Sequence, residues 1–425
     1  MTPQTEAQLK TAHNLGLQRI LSFECPGGGF GWYAGHGPNV ILTAYAAMFL
    51  ADLAKVAEVD RAILDRTVAW LEKNQDPQGR WSGSEGHSTW QRLSDAAVPS
   101  TAYVVWALRT AGREDSIAVG RALEYLRGAD TGDPYALALV ALASPTPANL
   151  DRLARMGKGG VWKTQLESWT RAAGSAADLE ATALAVIALA RHDPALADEG
   201  AAFLVRSKRS DGTWGSTQAT VLALKALSAA GGGQRGPVAA RLWVNGREIA
   251  GAFPEGNRPQ SFDISPHLGA GANEVVLETT VRVNAQVTGR YYVPWGTGDL
   301  LHGVEGLNLQ VLYDRTEAKV GDTVTCTVKV ESAPAMVIAE VAVPPGFTVD
   351  RAELDDLVRR GVADKVAQTG RTLTFYLSGK GATFSYGLKP RYPVRVAVPR
   401  SVAYEYYTPD RRVVSPPQEL VVEMR

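Results

Sequence analysis

Along the first 231 residues, apolar positions recur in two alternating patterns. In one, an Ala-rich run is apolar nearly all round, as at residues 43–50, 101–108, 133–143, 182–189 and 217–224. In the other, a single apolar stripe lies opposite a charged face, as at residues 60–73, where Ile63, Leu64, Val68 and Leu71 keep helical spacing. A helix apolar on every side needs burial all round, whereas a one-striped helix belongs on the outside. Their alternation predicts helical hairpins with inner and outer members. Repeated around a circle, the hairpins make an α/α toroid, and a closed ring surrounds the inner helices better than a straight solenoid does.

The connections carry a signature of their own. Residues 75–81 and 209–214 each place a Gly turn just before a tryptophan, Trp81 and Trp214. Residues 27–32 form a looser version ending at Trp32. Glycine supplies the positive φ of a reversal, and the Trp serves as an apolar lid over the hairpin end. These aromatics read as glue for the repeat; a platform for carbohydrate or isoprenoid is the alternative. In the last copy Thr217 stands where a helix is capped, and glycines 231–233 stop the helix.

After Pro237 the apolar period drops to two. Asn245-Gly246 between apolar runs predicts a hairpin over residues 238–249. Further strands are expected at 260–264, 274–280 and 281–293, then a short linker at 303–306. From 307 to 425 the alternation is clear, with Val324, Cys326, Val328 and Val330 on one face. One short helix interrupts the strands at 350–361, acidic early, basic late and stopped by Gly361. The expected organisation is a multidomain α and β chain: an α/α toroid at 1–231, a smaller β segment at 236–302, and a β-sandwich with one short helix at 305–425.

Composition narrows the function. Lys plus Arg equals Asp plus Glu at 44 each, so neither a nucleic-acid footprint nor a polybasic membrane contact is indicated. Residues 181–190, among the longest apolar runs, are too short to cross a bilayer, and the polar opening residues carry no signal peptide. Cys25 and Cys326, one in each half, suggest neither a disulfide framework nor a zinc site. Cys326 reads as a small core residue.

No phosphate-binding loop, nucleophile elbow or Asp-rich cluster is present, and no cofactor or metal is expected. A toroidal glycosidase needs two carboxyls facing across the ring mouth. Glu85, Glu167, Asp178 and Glu180 are the candidates, but their spacing selects no pair, and each reads as a cap or a solvated turn residue. Asp355 and Asp356 read as a solvated helix face.

Gly215-Ser216-Thr217-Gln218-Ala219-Thr220, opening the last apolar helix, resembles the end of the thioester-containing toroid of the alpha-2-macroglobulin and complement family. Thr101-Ala102-Tyr103-Val104-Val105 is similar to another of its inner helices. Residues 335–347, 386–396 and 402–409 resemble strands of the family's receptor-binding domain, in the same order and in a bacterial style. The resemblance implies a thioester-domain-like toroid, a partial CUB-like β segment and a receptor-binding-like sandwich. It also implies the C-terminal part of a broad-spectrum endopeptidase inhibitor that traps by conformational change, and no enzyme. Implied partners are target proteases and the macroglobulin domains that precede this region, in the same protein or a separate chain; the implied location is periplasmic or extracellular.

The family's reactive Cys-Gly-Glu-Gln motif does not occur, and Glu24-Cys25-Pro26-Gly27 lacks the Gln. His87 falls close to the place of the family's acyl-transfer histidine, a nucleophilic catalyst. Two other functions stay open: a toroidal enzyme acting on glycans or isoprenoids, and an interaction protein that keeps the fold without thioester chemistry.

Overall fold

A computed structural model describes residues 3–31, 37–82, 97–129, 131–168, 172–209, 212–231, 239–251, 261–280, 283, 285–289, 304–332, 336–379, 381–406 and 408–424. Two compact units, Met1–Val287 and Thr288–Arg425, each hold their own core.

Among the described residues, the first unit opens with ten helices: α1 (Pro3–Leu21), α2 (Val40–Leu53), α3 (Arg61–Lys73), α4 (Ala97–Thr110), α5 (Ile117–Arg127), α6 (Pro134–Ala143), α7 (Pro147–Met156), α8 (Ser175–Leu189), α9 (Pro194–Arg206) and α10 (Thr217–Ala230). Their starts are written in the chain. Asn39, Asp60, Ser116, Asp133, Thr146, Asp193 and Ser216 each accept a first-turn backbone N–H. Proline stands in the first turn of α6, α7 and α9, where its missing donor costs nothing. At α10 the cap is Ser216, not Thr217, because the Ser216 hydroxyl is the one that reaches Ala219 N, at 3.0 Å.

Helices α2, α4, α6, α8 and α10 pack as successive neighbours and form the inner layer; α3, α5, α7 and α9 lie outside it. The ring closes from α10 back to the start. Lys225 of α10 pairs with Asp52 of α2 at 2.6 Å and lies over the Trp106 ring of α4, 5.6 Å from its centroid. Gln218 of α10 is hydrogen-bonded to the Tyr103 phenol of α4.

The threonines that mark the inner runs do not cap them. Thr43, Thr101 and Thr182 lie a turn or more inside their helices, and their hydroxyls receive the connecting turn. Phe30 N–H donates to Thr43 Oγ1 at 2.9 Å, Trp81 N–H to Thr101 Oγ1 at 3.0 Å, and Trp162 N–H to Thr182 Oγ1 at 3.1 Å. Trp214 N–H does the same with Thr220, at 3.1 Å. The tryptophans are more than lids. Their indole N–H groups donate to carbonyls near the ends of the preceding outer helices: Trp81 to Leu71, Trp162 to Leu153 and Trp214 to Leu204, at 2.7–2.8 Å. At Leu153 and Leu204 this satisfies a carbonyl that the helix end leaves open, while the Leu71 carbonyl also accepts the Asn74 N–H at 3.2 Å. In the first turn Phe30, not Trp32, takes this place, while Trp32 itself lies outside the described residues.

The unit ends in a three-stranded antiparallel sheet, order β2-β1-β3, of β1 (Ala240–Val244), β2 (Arg247–Gly251) and β3 (Val275–Thr279). Asn245 and Gly246 take φ of 50° and 75°, the primed turn that Asn-Gly favours. The strand expected at 260–264 is absent over residues 261–264, which lead into a 3-10 turn at Ser265–His267. The described residues between 281 and 293 also form no strand.

The second unit contains β4 (Leu307–Tyr313), β5 (Glu317–Lys319), β6 (Val324–Ser332), β7 (Val337–Ala342), β8 (Phe347–Val349), α11 (Arg351–Arg359), β9 (Lys365–Thr369), β10 (Thr372–Leu377), β11 (Gly381–Pro390), β12 (Val394–Ala397), β13 (Ser401–Glu405), β14 (Thr408–Ser415) and β15 (Glu419–Glu423). Sheets of order β14-β13-β7-β10-β9 and β4-β6-β11-β8 share one apolar core, and β12-β15-β5 form a third. Val324, Cys326, Val328 and Val330 all point into that core. Helix α11 is capped by Asp350 and buries Leu354 and Leu357, and its Glu353 carboxylate accepts the Gly387 N–H at 2.6 Å. Asp355 and Asp356 are not merely solvated: they pair with Arg351, and with Arg359 and Arg360.

Candidate functional site at one rim of the toroid

Because inner and outer helices alternate in direction, the inner helices all begin at the same rim. Polar side chains gather there and in the first turns of the ring axis. Tyr45, Tyr103, Glu180, Ser216 and Gln218 come from α2, α4, α8 and the start of α10. Tyr103 is buried, which raises its phenol far above the usual range, and the neighbouring Tyr45 and Glu180 push in the same direction. It stays protonated and serves as a hydrogen-bonding group toward Gln218. Ser216 Oγ lies 3.5 Å from Glu180 Oε1, so the turn that opens α10 touches the buried carboxyl of α8. The Gly215–Gln218 segment is thus the piece of chain that ties the last inner helix to α4 and α8.

A second knot fixes the connection between α7 and α8. The Asp133 carboxylate accepts from Tyr135 N, from Thr164 Oγ1 at 2.7 Å and from Gln165 N at 2.9 Å. Thr164 N–H in turn donates to Asp178 Oδ1 at 2.9 Å. An open cleft of about 260 Å³ lies beside it, bounded by Lys163, Gln165, Glu167, Ser175 and Asp178.

Of the four carboxyls named from the sequence, Glu167 and Asp178 both border this cleft. Asp178 holds backbone, Glu180 has 0 % of its surface exposed, and Glu167 lines the cleft. Glu85 lies outside the described residues. His87, the acyl-transfer candidate, also lies outside them. Cys25 sits in the first turn, its thiol raised by burial and by the Glu24 charge, so its reactive thiolate is scarce. In the second unit burial pushes the Cys326 thiol up to about 11.

Trp162 takes the same place as Trp81 and Trp214 in a turn that the sequence pattern does not single out. Its turn, residues 159–162, has the same Gly–x–Trp step, but Lys158 precedes it where the others have Asp and Pro or Ser. The constant signal is glycine two positions before the aromatic residue, at Gly28, Gly79, Gly160 and Gly212.

Comparison with known proteins agrees with both units. The A-macroglobulin TED domain model matches residues 1–229, and the A-macroglobulin receptor binding domain model matches residues 332–416. Complement C3 of Oncorhynchus mykiss is 29% identical over 236 residues, 51% of this chain and 14% of that protein. Thioester-containing protein 1 allele S1 of Anopheles gambiae is 26% identical over 230 residues, 50% of this chain and 17% of that protein. The chain therefore spans under a fifth of the curated relatives it matches. Among solved structures, native Escherichia coli alpha-2-macroglobulin from domain MG7 to the C-terminus superposes with a TM-score of 0.63 at 14% identity, covering 96% of this chain and 67% of that one. Salmonella alpha-2-macroglobulin reacted with methylamine gives 0.64 at 14% identity, covering 99% of this chain and 28% of that one. The structures share the fold, and the TED model alone spans more than half of the sequence: the chain belongs to the A-macroglobulin family, as a TED toroid followed by a receptor-binding β-sandwich.

Proposed function

We propose that the chain is the C-terminal conformational module of an alpha-2-macroglobulin-like endopeptidase inhibitor and has no catalytic activity of its own. The observation that carries this reading is the pairing of a TED toroid with a receptor-binding domain in the family's order. The toroid shields and presents a reactive site held on other segments, and the β domains move with it when a protease cuts. Target proteases and the preceding macroglobulin domains are the partners, and the periplasm or the extracellular space is the place of action. Residues 1–231, 236–302 and 305–425 are the proposed domains. His87 is the proposed nucleophile that passes an acyl group from a thioester to a hydroxyl, where such a thioester lies on the preceding segment.

The test is inhibition of an endopeptidase acting on a folded protein substrate by the longer protein, with and without residues 1–425. Inhibition that requires this region supports the proposal; inhibition unchanged by its removal overturns it. With the longer protein, His87→Ala lowers covalent attachment to glycerol while leaving attachment to methylamine. Equal loss for both nucleophiles refutes the histidine's role. Turnover of a glycan or isoprenoid by the chain alone would overturn the non-enzymatic reading.

A further inference from the structure

Charge balances over the whole chain, but composition counts charges without placing them. In the second unit one end of the five-stranded sheet gathers three arginines on three different connections. Strand β7 ends at Ala342, with β10 beginning beside it on one side and β13 on the other. Arg371 leads into β10, and its carbonyl accepts the Val343 N–H at 2.8 Å. Arg400 leads into β13, where the Ser401 hydroxyl accepts the Ala342 N–H at 3.1 Å. Two strand spacings separate their backbones, roughly 10 Å. Arg391 follows β11 of the four-stranded sheet and donates its N–H to the Gly346 carbonyl at 2.9 Å.

The side chains agree with this placement. Arg371 Nη1 donates to the Pro344 carbonyl at 3.2 Å, and Arg391 Nε donates to Thr348 Oγ1 at 2.9 Å. Both guanidiniums therefore border one turn, closed by the Phe347 N–H to the Pro344 carbonyl at 3.1 Å. Each keeps further donors for a group outside the chain. All three arginines are exposed. Among the described residues none of the three forms an ion pair, whereas Arg315 and Arg395 pair with Asp314 and Glu419. The connections that carry them, 343–346, 370–371, 391–393 and 398–400, contain no Asp or Glu. Asp322, near the end of β11, is engaged with the Lys319 N–H at 2.9 Å. Tyr392 stands beside Arg391 with 67 % of its surface exposed.

We propose that this end of the β-sandwich is a contact site for anionic phospholipid headgroups, made by Arg371, Arg391 and Arg400 with Tyr392. The guanidinium fork matches phosphate oxygens. An exposed tyrosine among cations has the apolar body and polar tip that settle at the headgroup level of a membrane. The charges sit at strand ends on separate tips, which suits an extended array of phosphates better than one bound strand or helix. Each arginine near such a surface strengthens binding roughly fivefold, so three together give about a hundredfold. The contact is peripheral and reversible. It goes beyond the inhibitor reading and does not depend on it.

Sedimentation of residues 1–425 with lipid vesicles tests the site. At low salt the chain binds vesicles of phosphatidylglycerol and phosphatidylcholine in equal parts, ignores pure phosphatidylcholine, and is released by added salt. Arg371→Gln, Arg391→Gln and Arg400→Gln together weaken binding about a hundredfold, whereas lysine at the same three positions keeps most of it. Arg61→Gln, Arg113→Gln and Arg127→Gln together remove the same charge from exposed positions of the first unit and leave binding unchanged. Circular dichroism and thermal midpoints equal to the parent's show that the variants stay folded. Equal loss in the two glutamine triples overturns the proposal, and so does binding that is indifferent to lipid charge or to salt. Inorganic polyphosphate is the competing source of phosphate. A chain that binds polyphosphate through these arginines but binds no vesicle assigns the surface to a soluble polyanion and also overturns it. Vesicle binding by a protein that inhibits no endopeptidase refutes the inhibitor reading alone.

Discussion

At the scale of single residues, the toroid rests on a few polar contacts buried in apolar surroundings. Trp162 fills the end of the α7–α8 hairpin completely, and its indole N–H closes the Leu153 carbonyl at 2.8 Å. Trp162→Phe keeps most of the packing and leaves that carbonyl open, a loss of about 1–3 kcal/mol, read from the helical signal in urea unfolding. The turn glycines make a sharper pair. Gly160→Ala meets both an unfavourable φ of 73° and the α9 backbone, whereas Gly212→Ala meets the φ and no described residue within 4 Å. Gly212→Ala therefore costs on the order of 1 kcal/mol, and Gly160→Ala costs clearly more or prevents folding. Equal unfolding midpoints for the two variants would contradict the packing difference between the turns.

At the scale of elements, much was legible and the misses share a cause. The inner and outer helices announce themselves by how far round the apolar positions extend, which is a property of composition on a helical period. The caps are less legible because several small polar residues compete in each turn: Ser216 wins over Thr217 by one position, which only the hydrogen bond to Ala219 decides. Residues 261–264 alternate apolar and polar side chains yet form no strand, since period two is a condition for pairing and not a partner. Trp162 was missed because its turn lacks the acidic neighbour, although the Gly–x–Trp step is intact.

The ring closure was expected only in outline, and its chemistry yields a pH dependence. Burial pushes the Asp52 carboxyl up, but hydrogen bonds and charge from Lys225 and Lys55 outweigh it and hold the group below its ordinary value of 3.8. A carboxyl depressed by folding adds stability above its unfolded value and loses it as the pH falls through the folded one. Asp52→Asn is therefore less stable than the parent at pH 7. The difference shrinks once the pH falls below 3.8, where the parent's own carboxylate takes up its proton. Thermal midpoints of the two proteins across that range decide the matter, and a gap that does not narrow on acidification would remove Asp52 from the closure.

At the scale of the whole molecule, the two units differ in how fully they cover their own apolar surface. The second unit has a continuous core running from Leu307 through Phe375 and Leu388 to Val422, drawn from both main sheets and from α11. Its first and last elements are held within it, since β4 pairs with β6, and β15 lies between β12 and β5. The Arg411 guanidinium donates to the Glu305 carbonyl at 2.8 Å, which ties down the residue where the proposed domain begins. A sandwich of roughly 120 residues buries a large enough fraction of its surface to be stable alone. Residues 305–425, expressed by themselves, should give a β-type circular dichroism spectrum and one cooperative urea transition. The toroid should behave differently, because α10 keeps an apolar residue in solvent on the face that the other inner helices bury. Residues 1–231 alone should therefore bind more of a hydrophobic dye than residues 305–425. An unfolded 305–425 fragment would show that the sandwich depends on the first unit and that the proposed boundary is misplaced.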